Sequence, residues 1–231
     1  MRNFILILII VCILSACRNH SQASSSINHL TTPNDFYIDS IRAKDERLQI
    51  TFDIEMPIFK ADSICTLIIQ KEIQIHKQNF IDRVKELISK DSNMLNSVGS
   101  FFSANPVLIY QDTSFTSTCF VISTYFAGNA HPLTIFKSFN FDRKLNRLVD
   151  FKDYFNVSTQ VDSLIMKELI NKAINRQNIG VNNIYKMDFC LIKDSISFNF
   201  SDYEIASYGD GFIQAHVSRQ SLNNLIKKIY R

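Results

Sequence analysis

The sequence predicts an α+β fold: a mainly antiparallel sheet with a long helix and two further helices packed on it. Three observations predict it. Strand-like runs follow one another at hairpin spacing between residues 107 and 141 and again after 189. One helical pattern, Asp62 to Lys90, is far longer than any other. Strands and helices do not alternate in the βαβ order that a doubly wound parallel sheet requires. With 231 residues, 46% hydrophobic and 20% charged, the chain suits one sizeable domain or two small ones. It has 19 Phe and no Trp, so phenyl rings must fill much of the core.

The first residues read as an address. Arg2 is a small positive n-region, Phe4 to Leu14 an apolar run too short for a comfortable membrane span, and Leu14-Ser15-Ala16-Cys17 a bacterial lipobox. The expectation is a signal peptide over residues 1–16 and lipid on Cys17, which would anchor the protein extracytoplasmically in the cell envelope without spanning the membrane. Residues 17–34, rich in Ser, Asn, Thr and Gln, read as a flexible tether. An N-terminal half over 35–114 and a second unit over 115–231 follow.

Tyr37 to Ile41 reads as a strand leading into a charged turn. Leu48 to Met56 alternates apolar and polar residues as a half-buried strand should, and Pro57 ends it or places it at an edge. In the long helix, Asp62 or Ser63 can cap, and Ile64, Leu67, Ile68, Ile75, Phe80, Val84, Leu87 and Ile88 are the expected apolar stripe. Asn93 to Ser103 reads as a loop. Strands are expected over Val107–Gln111, Thr116–Phe126 and Leu133–Phe141, with a Gly128-Asn129-Ala130-His131-Pro132 corner before the last. Asp142 to Asn146 is a turn, and Asp150 to Phe155 a helical turn with Phe151, Tyr154 and Phe155 docking. Thr159 caps a second helix to Arg176, with Val161, Ile165, Leu169 and Ala173 as its ridge and Gly180 beyond its end. Phe189–Ile192 and Ile196–Phe200 form a hairpin, Tyr203 to Gly211 a ring- and glycine-rich loop, and Phe212–Val217 the last strand. Ser218 caps a terminal helix carrying Leu222, Leu225, Ile226 and Ile229.

Chemistry is sparse. The formal charge of +3 and the lack of a dense Lys/Arg cluster argue against a nucleic-acid partner. Gly-x-Ser-x-Gly, P-loop, His-Glu-x-x-His and Cys-x-x-Cys motifs are absent, so no cofactor, metal or catalytic residue is expected. Cys65, Cys119 and Cys190 sit in apolar contexts, as small buried thiols or as one disulfide with a thiol left over. His131 on its corner can satisfy turn backbone or contact a ligand. Asp150 and Asp153, three apart, can seat a cation or cap a helix. Tyr203, Glu204, Tyr208, Asp210 and Phe212 form a candidate recognition loop, its rings able to serve as core or as binding surface.

On these residues the second half resembles a known family: the extracytoplasmic domain shared by the anti-sigma factor RsiV and the region accompanying the deacetylase PdaC. The resemblance rests on Tyr125 through the Gly128–Pro132 corner, Phe139-Asn140-Phe141-Asp142, Leu148-Val149-Asp150-Phe151 with Tyr154-Phe155, and Tyr203 to Ala206 followed by Tyr208 to Gly211. Leu48 to Lys90 is similar in layout to the segment that precedes this domain. Asn129, Ser207 and Asn146 depart from the family's usual glycine, proline and glycine. The resemblance implies an α/β binding domain outside the membrane, with lysozyme recognition attributed to RsiV, and brings no catalytic residues. The expected partners are thus the membrane, through lipid on Cys17, and a lysozyme-type protein or cell-wall glycan, bound through Tyr203, Glu204, Tyr208, Asp210, Phe212 and His131. The alternatives are a glycan hydrolase or deacetylase-like enzyme working through His131 with Asp150 or Glu204, and a passive envelope spacer.

Overall fold

In a computed structural model, residues 28–30, 36–92, 99–174 and 184–231 are described. The signal peptide, Cys17 and Gly180 lie outside them. The elements are strands β1 (Asn28–Leu30), β2 (Phe36–Asp45) and β3 (Ile50–Phe59), helix α1 (Ser63–Lys90), strands β4 (Ser100–Gln111), β5 (Phe115–Tyr125), β6 (Leu133–Asp142) and β7 (Arg147–Leu148), helices α2 (Phe151–Tyr154) and α3 (Gln160–Ile174), strands β8 (Asp188–Leu191), β9 (Ser195–Phe200) and β10 (Ile213–Ser218), and helix α4 (Arg219–Leu222). The fold is α+β, as expected.

A seven-stranded sheet runs β2-β3-β4-β5-β6-β7, with β1 also on β4; a three-stranded sheet runs β10-β9-β8. Among the described residues, only β3–β4 and β1–β4 pair in parallel. Asn28–Leu30, in the stretch expected as tether, is therefore a strand. The expected boundary at 114/115 falls in the β4–β5 turn, between neighbours of one sheet.

Strand β4 begins at Ser100, well before the expected Val107. Its first half, Ser100-Phe-Phe-Ser-Ala-Asn-Pro106, mixes small polar residues with a proline and so hid from pattern reading. A register shift between Pro106 and Leu108 changes which side each residue faces. Before it, Phe102 and Ala104 face α1; after it, Ile109 faces α1 while Leu108 and Tyr110 face the small sheet. One sheet thus serves two cores. On one side α1 closes over Phe52, Ile54, Phe102, Phe120, Ile122 and Phe139. On the other, the small sheet, α3 and the C-terminal turns close over Phe115, Cys119, Tyr154, Phe189 and Phe198.

Helix α1 spans the expected residues and buries Phe80 and Val84 of the expected stripe, but its first half buries a different set. Cys65, Thr66, Ile69, Ile73, Phe80 and Val84 point inward, while Ile64, Leu67 and Ile75 are exposed. Apolar residues lie on both faces of its first half, so periodicity alone does not select one. Thr66 decides the phase: its Oγ1 accepts the Phe59 N–H at 3.0 Å. Asp62 precedes the helix without capping it. Its carboxylate instead accepts from Thr116 Oγ1 and Gln111 Nε2, both at 2.7 Å, and pairs with Arg143 at 3.0 Å. In α3, Met166 and Ile170 are buried and the expected ridge residues Val161 and Ile165 are exposed. Thr159 caps α3 as expected, its Oγ1 accepting the Asp162 N–H. The single terminal helix is instead one turn, Arg219–Leu222, capped by Ser218, then two 3₁₀ turns that leave Ile229 exposed.

Candidate functional site

The corner and the loop, 72 residues apart in sequence, meet on the surface. Gly128 turns the chain at φ 90°, where only glycine is unstrained. His131 follows with both ring nitrogens engaged. Nδ1 lies 2.9 Å from the Pro132 carbonyl, which can only accept, so Nδ1 carries the proton. In the neutral ring Nε2 then accepts from the Tyr203 hydroxyl at 2.9 Å. The imidazole stacks on Tyr208 at 3.8 Å between centroids, 19° from parallel, and Tyr203 lies 6.1 Å from both rings.

Strand β6 holds the loop in place. Its outer edge would leave N–H groups bare, and side chains cap them. Thr134 N–H donates to Asp202 Oδ2 at 2.8 Å, Phe136 N–H to Ser201 Oγ at 3.0 Å, and Ser138 N–H to Asp188 Oδ1 at 3.0 Å. The Asp202 N–H returns a bond to the Thr134 carbonyl. Tyr203, forced to φ 63°, then projects outward, 56% exposed.

The remaining residues of the loop divide. Glu204 accepts the Ser201 N–H at 2.9 Å; burial against the loop pushes its pKa up and that bond partly offsets the rise. Asp210 accepts from Ser207 N–H and Oγ, closing a 3₁₀ turn, Tyr208–Asp210, and Gly211 leaves it at φ 68°. Phe212 is 47% exposed and packs edge-on against Phe136 at 5.3 Å. His131, Tyr203 and Tyr208 therefore form one platform, while Glu204 and Asp210 bond within their own loop.

Asp150 stands elsewhere. It caps α2, with Asp150 Oδ1 accepting the Asp153 N–H and Asp153 Oδ2 accepting the Asp150 N–H, and Arg147 pairs with Asp153 at 3.0 Å. That cap borders a cleft of about 430 Å³ along the β6 edge, lined also by Glu72, Lys137, Tyr185 and Asp188. Burial raises the Asp188 pKa to about 6, nearby Glu204 adds to the rise, and the Ser138 N–H and Lys137 oppose it. No motif marks Asp188 in Met187-Asp188-Phe189; its character comes from packing two sheets together. A second, open groove of about 640 Å³ runs over the bare face of β3 and β4, past Asp53, Phe101 and Asn105. Phe101 stacks on Tyr125 at 5.7 Å beside it. No helix among the described residues is long and apolar enough to cross a membrane.

No family model matches the sequence, and no curated protein matches it. Solved structures do. A member of the DUF3298 family from Bacteroides fragilis superposes with a TM-score of 0.53 at 13% identity, over 86% of this chain and 96% of that one. A DUF3298 family protein from Pseudomonas aeruginosa gives 0.50 at 14% identity, over 86% and 95%. At these identities the likeness speaks for the fold: the chain is built like proteins of the DUF3298 family.

Proposed function

We propose that the protein is a lipid-anchored, extracytoplasmic binding module of the bacterial cell envelope. Its ligand is a lysozyme-type protein or a cell-wall glycan. The observation that carries the reading is the His131–Tyr203–Tyr208 platform: three rings from two distant segments, brought together beside the β6 edge, with Tyr203 exposed and His131 and Tyr208 half-buried. Rings with polar tips, fixed before binding, suit recognition because little ordering entropy is lost. The lipobox ending at Cys17 supplies the address, and the RsiV-like residues supply the ligand class. A hydrolytic role for His131 is less well supported, since both ring nitrogens are engaged and Asp150 lines a cleft that His131 does not.

The test is a pull-down of the full chain, in detergent, with immobilised lysozyme and with peptidoglycan fragments. Saturable retention on one of them is expected. Retention on neither contradicts the proposal.

A further inference from the structure

The small sheet meets the large one through an edge. The free edge of β8 rests on the face of β5 and β6: the Leu191 N–H donates to Ser117 Oγ at 2.9 Å and Asn140 Oδ1 at 3.2 Å, and Asn140 Nδ2 donates to the Phe189 carbonyl at 2.8 Å. These bonds bracket Cys190. Asp188 and Cys190 point to the same side of their strand, because side chains alternate. Asp188 bonds the N–H of Ser138, and Ser138 is the cross-strand partner of Cys119. The same placement brings Cys190 toward Cys119, and both are free thiols in this structure. Both are wholly buried in the second core. Burial and the neighbouring thiol push the Cys119 pKa well up.

We propose that Cys119 and Cys190 are joined by a disulfide when the chain folds in an oxidising compartment, leaving Cys65 as a free thiol under α1. Sheets packed face to face stand about 10 Å apart, beyond the roughly 4.4–6.8 Å Cα separation a disulfide spans. A strand edge bonded directly to the side chains of the other sheet comes closer. The oxidant is a low-molecular-weight or protein disulfide. One cysteine thiolate attacks it to give a mixed disulfide and one reduced thiol. The second cysteine then displaces the second thiol, so two protein S–H bonds become one S–S bond while the oxidant gains two electrons and two protons. Because both sulfurs are buried in the fold, the exchange belongs to folding, before β8 closes on β5. The inference goes beyond ligand binding and needs only the oxidising compartment that the envelope address supplies.

The full chain, refolded from denaturant in a glutathione and glutathione disulfide buffer, is quenched with acid, alkylated in denaturant with iodoacetamide and mapped by mass spectrometry. The expected map links the Cys119 and Cys190 peptides, about 2 Da lighter than the reduced pair by the loss of two hydrogens, with Cys65 alkylated. Reductant should lower the urea midpoint of this protein and leave that of Cys119→Ala unmoved. Full alkylation of both Cys119 and Cys190 in a chain with native circular dichroism, or a bond from Cys65 to either, overturns the proposal. The binding platform holds no cysteine, so that failure leaves the functional proposal standing.

Discussion

Asp188 illustrates what a buried carboxylate does at the scale of one residue. It caps an otherwise bare N–H on β6 and ties the small sheet to the large one. Its folded pKa, about 6, is above the ordinary value of 3.8. The folded state therefore holds the proton more tightly than the unfolded state does. The group's contribution to stability is fully present below pH 3.8 and is lost as pH rises through about 6. Asp188→Asn keeps an oxygen for Ser138 and removes the charge. Urea unfolding should show it at least as stable as wild type at pH 7.5, on the order of 1–2 kcal/mol in its favour after allowing for partial exposure, with a flatter dependence between pH 4 and 7. A variant clearly less stable at pH 7.5 contradicts this account. At the platform, Tyr203→Phe deletes one exposed hydrogen bond, so its thermal midpoint should match wild type within the effect of about 1 kcal/mol.

At the scale of elements, most of the fold was legible, and helix phase only in part: Phe80 and Val84 of α1 are buried as expected, Ile64 and Leu67 are not. The strand at Leu48, the long helix, the corner, the Asn146 turn (φ 53°) and the α2 cap all follow from local rules of alternation, capping and positive φ. The first half of β4 was hidden because it mixes small polar residues with a proline, and the bulge after it moves the inward-facing set from even to odd residues. Helices α1 and α3 carry apolar residues on both faces, and only tertiary contact chooses between them. Substitutions separate the two choices. Phe80→Ala, under α1, should cost about 3–5 kcal/mol, and Leu67→Ala, on its outer face, less than about 0.5 kcal/mol in urea unfolding. Comparable losses would mean that the helix is turned differently. The site was legible only in part: the sequence groups His131 and the Tyr203–Phe212 loop as contacts for one ligand, but local pattern does not show how positions 72 apart meet. The pairing depends on Asp202 and Ser201 capping the β6 edge.

At the scale of the whole molecule, strands β4, β5 and β6 are common property of two cores. Neither core can lose its packing without exposing the back of the other's sheet. Unfolding should therefore be one transition by both circular dichroism and tyrosine fluorescence, and Phe80→Ala in one core and Phe189→Ala in the other should move that same transition. Two separate transitions would divide the molecule. The shared sheet also matters for function, since β6 carries the corner at one end and holds the recognition loop along its edge. The central claim, that corner and loop make one binding surface, is tested most directly by dissociation constants for the retained ligand. Tyr208→Ala and His131→Ala should each weaken binding about tenfold or more, as truncation of an anchoring ring does, while Leu67→Ala binds like wild type. Binding unchanged in both platform variants would contradict the claim.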